Sequence, residues 1–162
     1  MIPPLQPLDI VVVDGLWYMP HHWLIRWRGL DPGVHCFTIV DPAGNGWSPE
    51  FTGIKRRHLD HYKGRHITIH RLKEGGQLYR ALSSCFAIEK TATGYDFKQW
   101  FGFFTGLLRR CWIDDATAWT CAELPYWAIH NLQPITAQDE LLPMPRLFRY
   151  NQQFETIFKG VW

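Results

Sequence analysis

Hydrophobic positions cluster early in the chain and alternate further on. Asp9-Ile10-Val11-Val12-Val13-Asp14 is a β-branched run closed by Asp14-Gly15, which predicts a buried strand ending in a turn. Val34-His35-Cys36-Phe37-Thr38-Ile39-Val40-Asp41 predicts a second strand, entered through Asp31-Pro32-Gly33 and left through Pro42 to Gly46. Gly44-Asn45-Gly46 is a hairpin signal, so Trp47-Ser48-Pro49-Glu50-Phe51 is expected to return antiparallel beside it, with Pro49 marking an edge or a bulge. Gly53 to Arg57 reads as a short strand, His58 to Tyr62 as a helical turn, and Arg65 to Leu72 as an alternating strand.

From Gly76 the period changes. Leu78, Leu82, Cys85 and Phe86 keep helical spacing, ending before Thr93-Gly94. Pro20 to Arg28 suits a short amphipathic helix with Trp23, Leu24 and Trp27 on one side, and the apolar run Trp100 to Leu108 leans to helix despite its glycines. Thr120 followed by Glu123 is a capping-box pattern, which starts a helix running to about Asn131 and puts Cys121 at its first position. There the positive end of the helix dipole and unpaired N–H groups favour a thiolate, the nucleophilic form. Pro134, Pro143 and Pro145 mark residues 132–162 as an extended C-terminal segment packing back on the body, and residues 1–8 as a lead-in. A small, mostly antiparallel sheet with helices makes the class α+β.

Composition narrows this picture. A chain of 162 residues suits one domain with a real core, and 46% hydrophobic with 20% charged residues is ordinary for a globular protein. Nine Trp, six Tyr and ten Phe suit a ring-lined groove as well as a core. A net charge of +2 argues against nucleic acid, and Lys55-Arg56-Arg57 reads as a solvated face. The four cysteines, Cys36, Cys85, Cys111 and Cys121, have neither CxxC nor zinc-ligand spacing, so packing is the expectation for the first three. His58, His61, His66 and His70 lack an accompanying Cys or carboxylate cluster; no metal and no cofactor are expected. The N-terminus lacks a basic start and an apolar core region, and no window is apolar for long enough to span a bilayer. The expected location is cytoplasmic, or virion-associated through a dedicated delivery system.

A thiolate needs a base, and an imidazole on a neighbouring strand with a polar group behind it is the usual arrangement. Asp9-Ile-Val-Val-Val, Val34 to Val40 with His35, then Glu50, Gly94-Tyr95-Asp96-Phe97 and Thr120-Cys121-Ala122-Glu123-Leu124 resemble, in that order, the circularly permuted NlpC-type papain-like cysteine hydrolases of the YiiX/YaeF-like branch. In that family the histidine opens a strand before the nucleophile, which lies in a late C-S/A-E-L motif. The resemblance spans roughly Asp9 to Asn131. It implies a permuted papain-like α+β fold with the sheet against the Cys-bearing helix, Cys121 as nucleophile, His35 as base and acid, Glu50 as the group orienting the imidazole, and Tyr95 with Trp119 on the oxyanion and substrate side. Phe37 is bulkier than the family's small residue and reshapes the pocket. The implied substrate is a peptide or cell-wall peptide amide. Lipid acyl transfer, as in lecithin:retinol acyltransferase-like proteins, is the second reading, and a binding or structural module in a phage particle or secreted complex is the third. In the third case Cys121, His35 and Glu50 would not meet.

Overall fold

The computed structural model describes residues 3–16, 22–23, 26–27, 31–50, 52–73, 78–91, 94, 119–130 and 145–162. Their framework is a six-stranded antiparallel sheet. Its strands are β1 (Ile10–Asp14), β2 (Gly33–Ile39), β3 (Asn45–Glu50), β4 (Gly53–His58), β5 (His66–Leu72) and β6 (Phe154–Val161), in the order β4-β3-β2-β1-β5-β6. With the helices α1 (Leu78–Thr91), α2 (Glu123–His130) and α3 (Pro145–Tyr150), the class is α+β, as the pattern of the chain implies.

β1 is central, pairing with β2 on one side and β5 on the other, and this explains its unbroken run. Ile10 and Val12 belong to the core shared with the helices, together with Cys36, Trp47, Cys85, Leu124, Ile129 and Phe148. Val11 and Val13 point to the other face, against Phe37, Ile39, Ile67, Ile69, Leu59 and Tyr62. A strand with apolar contacts on both faces needs no polar alternation. The short 3-10 turn Leu59–Tyr62 covers this second face and contributes two buried side chains to it. On the first face α1 and α2 pack together, while α3 lies against β1 and β2.

The β2–β3 connection uses its polar residues for one purpose. The Asp41 carboxylate accepts the Ala43 and Asn45 backbone N–H groups at 2.9 and 3.2 Å and the Asn45 amide at 2.9 Å. Gly44 takes the positive φ of +94° that closes this loop. The β2–β3 register covers Thr38↔Trp47 and Ile39↔Gly46, whereas β3 pairs with β4 all the way from Asn45↔His58 to Glu50↔Gly53. Pro49, which has no N–H to donate, follows shortly after the point where the β2–β3 register stops.

The C-terminal segment departs from its sequence reading. It is not simply extended: Pro145 opens a helix, where its missing N–H and fixed φ cost nothing, and β6 completes the sheet by pairing with β5. The prolines drew attention away from the strand-forming residues of Phe154-Glu155-Thr156-Ile157-Phe158. Of the Pro20 to Arg28 helix, residues 22–23 and 26–27 are helical, with Trp23 and Trp27 exposed. The Trp100 to Leu108 run and Cys111 lie outside the described residues.

His70 on β5 is 1% exposed, its Nδ1 is 3.3 Å from the Thr156 hydroxyl, and among the described residues its Nε2 has no hydrogen-bond partner. Burial, with the Arg149 charge nearby, lowers its pKa from 6.5 to about 4. Between these values the unfolded chain binds a proton that the folded chain refuses, so stability is lost as pH falls through this window. The loss from this group between pH 7 and pH 4 is about 3 kcal/mol. Urea midpoints measured across that range should show it, and a His70→Gln variant should flatten the slope.

Candidate active site

Cys121 does not sit inside the helix that follows it. The first helical bond of α2 runs from the Tyr126 N–H to the Ala122 carbonyl at 3.2 Å, so Cys121 occupies the turn just ahead. Half of the expected capping box forms: the Glu123 carboxylate, 2% exposed, accepts the Thr120 backbone N–H at 2.6 Å. The reciprocal half does not, because the Thr120 hydroxyl is buried without a hydrogen-bond partner among the described residues. Glu123 therefore fixes the turn that carries Cys121 and is buried beneath it, as its structural reading requires.

Cys121 is 5% exposed and belongs to the helix-facing core with Cys36. Its thiol lies close enough to the Cys36 thiol and backbone and to the His35 ring for all three to act on its acidity. These contacts, the Cys36 thiol first, hold the Cys121 pKa well below the ordinary thiol value despite a burial that works the other way. Burial and the neighbouring Cys121 push Cys36 well up. Of the two thiols Cys121 is thus the more acidic and Cys36 the less. Cys85, buried with no such donors, is pushed up to about 12 by burial alone.

His35 and Cys36 are consecutive on β2 and face opposite layers. Cys36 enters the helix-facing core, whereas the His35 ring lies 5.9 Å from the Tyr62 ring in the opposite layer. Next to the ring, the Ser48 hydroxyl lies 2.9 Å from His35 Nε2 and 2.9 Å from the Tyr62 hydroxyl, forming a chain from imidazole to serine to tyrosine. Burial pushes the Tyr62 hydroxyl up to about 12, so it remains a neutral phenol at ordinary pH.

Glu50 lies on the same face of β3 as Ser48, two residues on. Its carboxylate takes the Arg57 guanidinium in a two-pronged pair, both contacts at 2.8 Å. Arg57 lowers its pKa most, with further lowering from the Ser48 hydroxyl and the His35 charge. The hydrogen-bond partner of the His35 ring is Ser48, and Glu50 stands behind that hydroxyl rather than against the imidazole. Sequence reasoning missed Ser48 and Tyr62. The alternation of β3 offered a signal for Ser48, because a residue two places before Glu50 shares its face.

Trp119 is half-buried. Its backbone N–H donates to the Gly94 carbonyl at 3.2 Å, and among the described residues its buried indole Nε1 has no acceptor. Tyr95 lies outside the described residues. His58 caps the Leu59–Tyr62 turn, with its Nδ1 accepting the Asp60 N–H at 3.2 Å, a role in the turn rather than at the imidazole. Among the described residues no group of three or more His, Cys, Asp or Glu side chains converges as a metal site would require. No described helix is long and apolar enough to cross a membrane.

No protein-family model matches the chain, and no curated protein shows a significant match. Among solved structures, the crystal structure of the metalloprotein yiiX from Escherichia coli O157:H7 superimposes with a TM-score of 0.66, covering 98% of this chain and 99% of that chain at 12% sequence identity. The chain is thus similar in fold, over nearly its whole length, to YiiX.

Proposed function

We propose that this protein is a cysteine hydrolase of the circularly permuted, NlpC-type papain-like kind, cleaving an amide bond in a peptide or cell-wall peptide through a thioacyl intermediate. The observation that carries the reading is the contact of the Cys121 thiol with the His35 ring, in a setting that favours the thiolate. The chain order of base before nucleophile and the likeness to the YiiX fold support it. A module that had lost its chemistry would have no need to keep these two groups together.

In this mechanism the Cys121 thiolate attacks the substrate carbonyl carbon and the carbonyl π electrons move onto oxygen. Nε2 of His35 is occupied by Ser48, which leaves Nδ1 for the thiolate and the leaving group. As the intermediate collapses, Nδ1–H gives its proton to the departing amine. The neutral ring then takes a proton from water, which attacks the thioester and frees Cys121. While the ring is an imidazolium, Nε2–H donates to the Ser48 oxygen, and the serine O–H passes on to the Tyr62 oxygen or to the Glu50 carboxylate. The Trp119 indole N–H, buried and without an acceptor among the described residues, is assigned to the developing oxyanion beside the Cys121 backbone N–H.

YiiX is described as a metalloprotein. The described residues of this chain do not supply a converging donor set, so no step is routed through a metal.

Iodoacetamide at pH 6 should label Cys121 well ahead of Cys85, and His35→Ala should slow the labelling at least about tenfold, the loss of thiolate per unit rise in pKa. Peptide mapping with time reads this directly, and equal labelling of both thiols would remove the basis of the proposal.

Ser48→Ala should lower kcat on a peptide amide by roughly tenfold or more, the order found when a group orienting a functional imidazole is lost, and should leave KM little changed. Glu50→Gln should cost less in kcat, with at most about 1 kcal/mol of stability because its pair with Arg57 is partly exposed. A larger kcat loss for Glu50→Gln than for Ser48→Ala would return the orienting role to the carboxylate. For the oxyanion assignment, Trp119→Phe keeps the ring and removes the donor, and kcat should fall by roughly a hundredfold with the fold intact by near-ultraviolet circular dichroism.

A further inference from the structure

Cys36 has no part in the hydrolytic steps, yet it is not an ordinary packing cysteine. It is 0% exposed, follows His35 directly on β2, and packs in the same core cluster as Cys121, near enough for the two thiols to act on each other's acidity. Both residues belong to one core cluster, and both are free thiols. A core that needed only volume at this position would be served by alanine or valine. Here a second sulfur is held against a reactive one, in the place a resolving thiol must occupy.

We propose that Cys121 and Cys36 form a hydroperoxide-reactive dithiol site in which Cys36 is the resolving cysteine, so that oxidation closes the active site reversibly. The Cys121 thiolate attacks the terminal oxygen of a hydroperoxide, the O–O bond breaks, and the alkoxide or hydroxide leaves and takes up a proton. Cys121 is then a sulfenic acid: its sulfur has lost two electrons, and the peroxide has gained them. The Cys36 sulfur attacks the sulfenic sulfur, an S–S bond forms, the S–O bond breaks, and the departing hydroxide takes the Cys36 proton as water. In the disulfide Cys121 cannot attack a carbonyl. A dithiol reductant restores both thiols by exchange, whereas a sulfinic acid at Cys121 would be permanent. The inference rests on Cys121 being the reactive thiolate of the proposed hydrolase, but not on which bond that hydrolase cleaves.

Cys85 cannot substitute for Cys36. It is buried on α1, burial alone pushes it up to about 12, and Cys121 is not among the groups that act on its acidity. Among the described cysteines the pairing is therefore that of Cys36 with Cys121.

The test uses the reduced full chain and hydrogen peroxide, followed by alkylation, non-reducing proteolysis and mass spectrometry. The expected result is a peptide linking Cys36 to Cys121, loss of alkylation at both, and complete recovery on treatment with dithiothreitol. In a Cys36→Ala variant, Cys121 should instead give a sulfenic acid trapped by dimedone and then pass to sulfinic and sulfonic acids, with labelling by iodoacetamide lost for good. The wild-type mapping stands alone if the variant fails to fold. Over-oxidation of wild-type Cys121 while Cys36 remains alkylatable, linkage of Cys121 to a different cysteine, or no oxidation of Cys121 would each overturn the inference. No substrate enters this test: a chain that forms the linkage but hydrolyses no amide upholds the dithiol site and refutes the hydrolase, while a hydrolase without the linkage does the reverse.

Discussion

A thiol in the layer of helices on one side of a sheet and an imidazole in the layer on the other side are separated by the sheet itself, with packed layers about 10 Å apart. Cys36 and Cys121 belong to the layer on the helix side and the His35 ring to the other, and the site is built where consecutive residues of β2 serve both. Close to the hairpin the strands are tied at Thr38↔Trp47 and Ile39↔Gly46, and the Asp41 carboxylate holds the loop beyond. Gly46 sits so close to Phe37 and the Thr38 carbonyl that a side chain there would collide with both, which fixes this end of the pairing. Away from the hairpin β3 keeps β4 as its partner as far as Glu50↔Gly53, which holds Ser48 and Glu50 in place beside His35.

Around this site the polar groups are arranged by charge. The thiolate has a hydrogen-bonding thiol on one side and an imidazole on the other, which outweighs the cost of removing a charge from water. Behind the imidazole stand a serine, a phenol too basic to ionise and a carboxylate already held by arginine. The first partner of the ring is a neutral hydroxyl, and Glu50 stands one residue further away with its charge largely balanced by Arg57. That division gives orientation to Ser48 and leaves to Glu50 a weaker field over the same site.

The strands were legible because each carries its own local signal: the β-branched run of β1, the alternation of β5, the turn residues between β2 and β3. The juxtaposition of Cys121 with His35 was legible only through motif order, since contacts between residues so far apart in sequence leave no periodic trace. The helix start was one turn element late in the structure, because Glu123 satisfies the Thr120 N–H without Thr120 answering, and the capping pattern overstates what the hydroxyl does. Ser48 was passed over since an acidic residue two positions away, Glu50, offered a more familiar partner for an imidazole. Cys36 was read as packing for a sound reason, as cysteines in strands generally are buried; only the position of a second sulfur from another element gives it a different role. In the tail, three prolines concealed a helix that one of them begins and the strand β6 that follows.

The hydrogen-bonding thiol has a double consequence for reactivity. Each interaction that stabilises the Cys121 thiolate raises its population but lowers its intrinsic nucleophilicity, since a less basic sulfur is a weaker attacker. An imidazolium offsets this during acyl transfer, because the same proton is delivered to the leaving group and the ion pair is dissolved as the reaction proceeds. A cysteine thiol has no such part in attack on a carbonyl; its contribution is limited to holding the anion in a nearly closed pocket. Toward an oxidised sulfur the position is reversed, for Cys36 is then the nucleophile and its contact with Cys121 is an approach already completed. In the proposed dithiol site the residue that steadies the Cys121 thiolate is therefore also the one placed to capture it after oxidation, and both properties follow from one strand presenting His35 and Cys36 to its two faces.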